Sequence, residues 1–317
     1  MAPASGSPDL DEEIRILINP SNLDLLTLRI FVLTAQSKSL TTTAERVHMT
    51  LSAVSRRLSD LEQVIGMPLF ERRHRAMELT PAGEAMLSHA QMIISASERL
   101  AGSMAEFAQG VRGTIRLWAN TSALVQFLPK DLHAYRTVYQ EVKVEMQERL
   151  SDEITRAVQS GDIDLGVVAN NSTSVGIEKV VYRKDQLVLV VPQDHELLDR
   201  EHVSLEDIVV RPFVGTNEGS AILRLLTDLA AAQGKTLRIT LQASSFEAIL
   251  SLVEAGHGIS VLPRAAVAKS VAARNMVMIP IHERWAVRQL YLAYHGGHAV
   301  NPEVHRLVEF LASRAAS

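Results

Sequence analysis

The stretch TLSAVSRRLSDLEQVIG, residues 50–66, places hydroxyl groups and adjacent guanidinium groups along one predicted helix. Apolar residues recur there at alternating intervals of four and three, which is typical of an amphipathic helix. Short hydroxyl side chains permit close approach to another surface, and arginine presents a planar fork of donors. The polar face therefore suits the phosphates and base edges of DNA. The apolar face comprises Val47, Leu51, Val54, Leu58, Leu61 and Ile65, and the polar face comprises Ser52, Ser55, Arg56 and Ser59.

The elements around this helix predict a helix-turn-helix at residues 39–58. A helical pattern that starts at Leu23 is broken by KSL, and the short helix TTTAERVH follows. In that short helix Thr42 and Glu45 have the spacing of a capping box. Thr50 is a suitable N-cap for the helix after it. Two helices joined by a short turn, the second with a polar contact face, form the arrangement that enters a major groove.

The segment MPLFERRHRAMELT, residues 67–80, predicts a β-hairpin wing with a basic tip. Residues 23–80 contain eight Lys or Arg and six Asp or Glu, a net charge of only +2. Five of those eight basic residues fall in the wing and in the helix of residues 50–66, which we call the recognition helix. Concentrated positive charge favours phosphate contacts. The alternative is an ordinary helical domain with a solvated basic surface. The predicted DNA-binding residues are Thr50, Leu51, Ser52, Ser55, Arg56, Arg57, Arg73 and Arg75.

A long helix without internal proline is predicted over residues 81–110. Its apolar positions alternate at four and three, which is a heptad seam. We expect this seam to pair two copies of the chain, and the alternative is a helix packed on its own chain. The predicted pairing residues are Met86, Ala90, Ile93, Leu100, Met104 and Phe107.

From Gly113 onward strands and helices alternate, which predicts an α/β fold with a parallel sheet. Residues 122–139 are expected to form one helix. We predict one lobe from residues 113–184 and 287–317 and a second from 185–286, hinged around a small molecule. In such folds, helix N-termini at the carboxyl ends of strands offer N–H groups to an anion, although helix capping explains the same residue types. The predicted ligand-binding residues are Asn120, Thr121, Ser122, Asn170, Thr216, Asn217, Glu218, Ser244, Ser245 and Phe246.

Composition limits the classes of function. The net charge of -4 argues against coating nucleic acid through bulk positive charge, and the lack of cysteine excludes disulfides and thiolate chemistry. No signal peptide and no membrane span is recognised, so a cytoplasmic protein is expected, with residues 1–22 as a flexible tail. We predict no catalytic residue, no cofactor and no metal site. GKT at 234–236 lacks a P-loop's first glycine, and the histidines of HGGH at 295–298 are typical of a surface loop.

Residues 39–83 carry the densest family resemblance. SLTTTAERVHMTLSAVSRRLSDLEQVIGMPLFERRHRAMELTPAG resembles LysR-type transcriptional regulators, and GDIDLGVV and VEAGHGISVLP extend the likeness. The resemblance covers residues 23 to about 310. It implies an α/β protein with an N-terminal winged helix-turn-helix at 23–80, a linker helix at 81–110 and a two-lobed effector domain similar to type 2 periplasmic binding proteins. The matching residues are Ala44, Leu58, Leu61, Glu62, Gly66, Leu69, Phe70, Arg72, Leu79, Thr80 and Gly83.

The resemblance also implies partners: double-stranded promoter DNA, a small-molecule effector such as an organic acid, further copies in a homodimer or homotetramer, and RNA polymerase for an activator. With this resemblance, roles can be assigned to the predicted DNA-binding residues. Ser52, Ser55 and Arg56 would approach base edges and Arg57 a phosphate. The wing residues Arg73 and Arg75 would touch the backbone or minor groove. The family often has glutamine where this chain has Leu51, so a thymine methyl contact is expected there.

Two other hypotheses stay open at this point. One is a small-molecule-binding protein that merely retains an N-terminal domain similar to a DNA-binding domain. The other is an enzyme built on the two hinged α/β lobes. The missing nucleophile and base disfavour the enzyme.

Overall fold

In a computed structural model, the described residues are 19–73, 76–107, 113–169, 176–296 and 301–315. They form parts of two compact units, residues 1–98 and 99–317. The described helices are α1 (Leu25–Ser37), α2 (Leu40–Arg46), α3 (Leu51–Ile65), α4 (Pro81–Phe107), α5 (Thr121–Gln126), α6 (Leu128–Val138), α7 (Ser151–Ser160), α8 (Leu205–Val209), α9 (Ala221–Ala232), α10 (Phe246–Glu254), α11 (Arg264–Ala272) and α12 (Pro302–Ser313). The described strands are β1 (Phe70–Arg73), β2 (Ala76–Leu79), β3 (Gly113–Ala119), β4 (Val142–Glu148), β5 (Leu165–Val168), β6 (Ile177–Pro192), β7 (Phe213–Thr216), β8 (Ile239–Ala243), β9 (Ser260–Pro263), β10 (Met276–Pro280) and β11 (Val287–His295).

The second helix begins earlier than the sequence predicts. α2 starts at Leu40, and the hydroxyl of Ser39 accepts a hydrogen bond from the backbone N–H of Thr42 at 3.3 Å. The predicted capping box of Thr42 and Glu45 is therefore wrong, because Thr42 already lies inside the first turn of the helix. Ser39 is the N-cap and ends the break after α1.

The apolar face of α3 packs into the core of the first unit, with one correction. Leu51 is 48% exposed, although the periodicity places it on the apolar face. It is the first residue of the helix, so the core contacts begin one turn later. The buried residues of this face are Val54, Leu58 and Leu61.

The predicted wing is confirmed as an antiparallel hairpin of β1 and β2, in which Phe70 pairs with Leu79. A carboxylate of α3 anchors its entry: Oε1 of Glu62 accepts hydrogen bonds from the backbone N–H groups of Leu69 at 2.8 Å and Phe70 at 3.1 Å. The first turn of α4 lies against the wing entry at Gly83, where an added Cβ would meet the carbonyl oxygen of Leu69 at 2.2 Å. Glycine is required there because the two backbones touch. The hairpin is thus fixed to both α3 and α4.

One long strand joins the two halves of the second unit. The order of paired strands is β10-β6-β11-β5-β3-β4, with β9 also beside β6. As predicted, β3 is parallel to β4 and to β5. The first part of β6 pairs with β11, and its last part pairs with β9 and β10. A hydrophobic core packs against each part, so the unit has two lobes that share β6.

The helix expected at residues 122–139 is broken into α5 and α6 at Phe127. Pro129 lies in the first turn of α6 and has no backbone N–H with which to continue the hydrogen bonds of α5. The single-helix prediction was wrong because it ignored this proline. The break leaves α5 as one short helix whose N-terminus follows β3 directly.

Candidate functional site

The exposed face of α3 carries the polar residues that the sequence singles out. Thr50 caps the helix, because its hydroxyl accepts a hydrogen bond from the backbone N–H of Ala53 at 3.3 Å. Ser52 is exposed and Ser55 is half-buried. The side chain of Arg56 is 85% exposed, and its Nε lies 3.9 Å from Asp60 on the same helix. Its guanidinium group therefore remains available to another molecule.

Arg57 is held within its own unit, unlike Arg56. Its Nη1 donates to the Asp24 carboxylate at 3.2 Å and to the Thr27 hydroxyl at 2.8 Å. Burial opposes ionisation of Asp24, but hydrogen bonds from Thr27 and the charge of Arg57 hold the pKa of Asp24 below its usual value. Because Asp24 also caps α1, this contact ties α1 to the recognition helix. A phosphate contact by Arg57 would have to share the guanidinium with Asp24.

Several predicted contacts fall outside what the structure describes. The side chains of Arg73 and Phe107, and the whole of Arg75 and Asn170, lie outside the described residues. For these four positions the sequence predictions stand as made.

The predicted pairing seam on α4 divides into two parts. Ala90 is 1% exposed and, with the half-buried Met86, packs into the core of the first unit. Ala90 is therefore withdrawn from the pairing surface, because its own chain already covers it. Apolar side chains further along α4 have no such cover, and their exposed fractions are 43% for Ile93, 63% for Leu100 and 58% for Met104.

A cleft between the two lobes of the second unit brings together most of the predicted ligand-binding residues. Glu218 is exposed and does not line this cleft. Ser245 does not line it either, because its hydroxyl caps α10 by accepting from the backbone N–H of Ala248 at 3.2 Å. Glu218 and Ser245 are therefore removed from the predicted ligand-binding residues, and Ser245 is a helix cap instead. The predicted residues that do line the cleft are Asn120, Thr121, Ser122, Thr216, Asn217, Ser244 and Phe246.

The sequence reasoning missed two arginines and the start of α7 and α9 in this lining. The residues at the start of α7 could have been found from the sequence. The turn from β4 into α7 is of the same strand-to-helix type that was used to choose the other residues. The arginine of β11 gave no such signal, because it lies inside a strand. The missed lining residues are Arg149, Leu150, Ser151, Ala169, Ser220, Ala221, Ile222 and Arg288.

Four helices begin at this cleft, namely α5, α7, α9 and α10. Their first turns carry partial positive charge and free N–H groups. The Asn120 side chain adds a donor: its Oδ1 accepts from the backbone N–H of Ala123 at 2.9 Å, whereas its buried Nδ2 has no hydrogen-bond partner among the described residues. A buried donor without a partner favours an acceptor from outside the chain.

The two arginines of the cleft differ in their charge balance. Arg288 donates from Nε at 2.8 Å and from Nη2 at 2.5 Å to Oδ2 of Asp185, whose side chain is fully buried. Its Nη2 also lies 2.5 Å from the Ser122 hydroxyl. Arg149 is exposed, lies 5.1 Å over the Trp118 ring and donates to Gln147 at 2.9 Å. Arg288 is paired with Asp185, so the positive groups that remain in the lining are Arg149 and the helix N-termini, while the Glu148 carboxylate accepts a hydrogen bond from Thr121 beside them.

Neither a cluster of metal-binding side chains nor a membrane-spanning helix occurs in the part of the chain that the structure describes. No three or more His, Asp or Glu side chains are grouped there in a way that would hold a metal ion. None of the described helices is long and apolar enough to cross a membrane.

A winged helix-turn-helix combined with a two-lobed α/β clamp defines a DNA-binding regulator that responds to a ligand. Residues 25–84 match the model of bacterial regulatory helix-turn-helix proteins of the lysR family, and residues 108–316 match the LysR substrate binding domain. The chain belongs to the LysR family of transcriptional regulators. Its fold is the winged helix-turn-helix and effector domain of that family, whose members bind promoter DNA and small-molecule effectors, form oligomers and are regulators rather than enzymes.

Individual relatives agree with this assignment. The chain is 28% identical over 296 residues to a RuBisCO operon transcriptional regulator of Allochromatium vinosum, covering 93% of this chain and 97% of the relative. Its fold is similar to a full-length OxyR variant from Pseudomonas aeruginosa, with a TM-score of 0.60, 22% identity, and coverage of 92% of this chain and 94% of that one. It is also similar to full-length CbnR complexed with its target DNA, with a TM-score of 0.53, 22% identity, and coverage of 92% and 99%.

The buried pair of Arg288 and Asp185 generates a stability prediction. In Arg288→Met the buried Asp185 carboxylate loses its charged partner, which should lower the free energy of unfolding by about 3–5 kcal/mol. Adding Asp185→Leu should recover much of that loss, since no orphan charge then remains. Urea denaturation of the full chain measures both, with Arg284→Met at a nearby exposed position as control. A loss in Arg288→Met no larger than in the control would contradict this account.

Proposed function

We propose that α3 lies in the major groove of promoter DNA, with Ser52, Ser55 and Arg56 at the base edges and Leu51 against a thymine methyl group. The single observation behind this proposal is that the side chain of Arg56 is 85% exposed, on a helix whose opposite face is buried in the core. An arginine in that position forks onto O6 and N7 of guanine. Arg73 and Arg75 of the wing contact the DNA backbone or minor groove. Arg57 serves mainly to hold α1 against α3, and its remaining donors face a phosphate.

We propose domain limits that follow from these roles. Residues 1–22 form a tail, 23–80 the DNA-binding head and 81–110 the linker helix. Lobe 1 consists of residues 113–184 and 287–317, and lobe 2 of residues 185–286. Two heads are paired through the exposed part of α4, which makes the protein a homodimer or, by pairing of dimers, a homotetramer. It acts in the cytoplasm, where promoter DNA is found, and touches RNA polymerase if it activates transcription.

We propose that the effector is a small organic acid or a similar metabolite. The start of four helices, the unpartnered amide of Asn120 and the charge of Arg149 all favour an anion in the cleft. Ile222 and Phe246 give the same cleft an apolar side for the carbon skeleton. A carboxylate attached to a small apolar body satisfies both.

Arginine substitutions test the DNA-binding proposal. A duplex is first selected from a random library by the full-length protein, and affinities for that duplex and for random DNA are then compared. Arg56→Ala should lose about 5- to 150-fold of the preference for the selected duplex, the equivalent of one bidentate base contact. Arg73→Ala should weaken both complexes alike and lower the salt dependence by about one phosphate contact. Equal effects of both changes on the two duplexes would defeat this division of roles.

Thermal denaturation of the full chain tests the effector proposal. The panel contains small mono- and dicarboxylic acids together with their neutral amides. An acid that binds only the folded chain should stabilise it by about 2.7 kcal/mol at 100 times its dissociation constant, whereas its amide should not. Arg149→Ala should reduce the shift, and Arg156→Ala, an exposed arginine outside the cleft, should leave it unchanged. The assignment of an organic acid fails if no acid raises the melting temperature, or if the amides act equally.

A further inference from the structure

An ion pair connects the two lobes beside the effector cleft. Asp152 is the second residue of α7, which packs in the first lobe, and Arg224 lies one turn into α9, which packs in the second. Nη2 of Arg224 donates to Oδ1 of Asp152 at 3.1 Å, and Nη1 donates to Oδ2. These hydrogen bonds, followed by the charges of Asp152 and Asp228, raise the pKa of Arg224. The pair thus joins the lobes through a fork of two hydrogen bonds.

A steric contact reinforces this pair on the same side of the cleft. At Gly219, just before α9, an added Cβ would lie 3.2 Å from Cδ1 of Leu150, just before α7. Gly219 also has a φ of +78°, a conformation that favours glycine. The backbone of one lobe therefore lies close enough to a side chain of the other that a Cβ at this position would be crowded.

Several polar groups that line the cleft are buried. Ser122 is 4% exposed, Ser151 is 2% exposed, and the buried Nδ2 of Asn120 has no partner among the described residues. The lining of the cleft includes the immediate neighbours of both contacts, Leu150 and Ser151 on one lobe and Ser220 and Ala221 on the other. A ligand of several carbon atoms can reach these buried donors only if the lobes move apart.

We propose that the ion pair of Asp152 and Arg224 is a latch that holds the cleft shut, so that the effector must break it in order to enter. The proposal rests on the effector site proposed above. Both side chains are about 40% exposed, at 41% for Asp152 and 38% for Arg224, so water screens the pair and the latch is weak. A weak latch suits a regulator, because a metabolite of ordinary affinity can open it. The latch sets the concentration at which the effector is sensed.

A buried thiol can report the opening of the cleft without DNA or effector. The chain has no cysteine, so Ser151→Cys introduces a single thiol at a cleft position that is 2% exposed. Iodoacetamide is the probe, and its reaction rate with full-length protein follows the fraction of time that the cleft is open. Adding Arg224→Gln should speed the reaction about two- to fivefold, the range expected for the loss of an exposed ion pair. Arg224→Lys, which keeps the charge, should react more slowly than Arg224→Gln.

Electrostatics alone would give the opposite result. Removing a cation near the thiol disfavours the reactive thiolate, so acceleration by Arg224→Gln can only report opening. In an Asp152→Asn background, Arg224→Gln should cause no further acceleration, because the pair is already broken. Lys235→Gln breaks an ion pair with Glu206 inside the second lobe and should leave the rate unchanged.

Two results would overturn the latch: no acceleration in Arg224→Gln, or the same acceleration with and without Asp152. Neither outcome depends on whether the protein binds DNA or an organic acid. A failure of the latch is therefore distinguishable from a failure of the proposed function.

Discussion

The burial of one side of α3 is the constraint on which the DNA-binding surface depends. Val54, Leu58 and Leu61 are each 5% exposed or less, so rotation of the helix about its axis would bring large apolar side chains into water. With that face fixed, Ser52 and Arg56 must point outward. The wing is positioned by the same helix, because Glu62 binds the backbone at its entry. Glu62 thus fixes the wing to the recognition helix.

In the effector domain, one strand links the two lobes. Strand β6 belongs to both lobes, so the lobes share a backbone but keep separate cores. Several helix N-termini lie at the cleft between them. The charge of Arg288 is balanced by the buried carboxylate of Asp185. What remains for a ligand is the guanidinium group of Arg149 and the N–H groups at the helix N-termini.

The sequence predicted those features that follow from periodicity and from the order of elements. The helix-turn-helix, the wing, the alternating α/β pattern and the cleft position of seven of the ten predicted ligand-binding residues needed only local information. One group of failures shares a cause, which is that they depend on contacts between distant segments. Arg57 is drawn to Asp24, 33 residues away, and Arg288 to Asp185, 103 residues away. Ala90 fits a heptad as well as Ile93 does, and only the tertiary packing of the head decides which of them is covered.

Local signals were also overlooked. Ser39 was available as an N-cap before α2, and Pro129 announces the start of α6. Leu51 shows a limit of periodicity itself, since a residue at the first position of a helix can satisfy the apolar pattern and still face solvent. These are errors of boundary rather than of fold, and they move single side chains from one surface to another.

The most direct measurement of the central claim maps where α3 meets DNA. Because the chain has no cysteine, Ser52→Cys allows one iron chelate that cleaves nearby DNA to be tethered to the exposed face of α3, and Gln233→Cys places the same reagent on the effector domain as control. Cleavage from position 52 should be confined to short clusters inside the bound sequence, and position 233 should give no such clusters. Cleavage from position 52 that is absent, or no more localised than from position 233, would contradict the central claim.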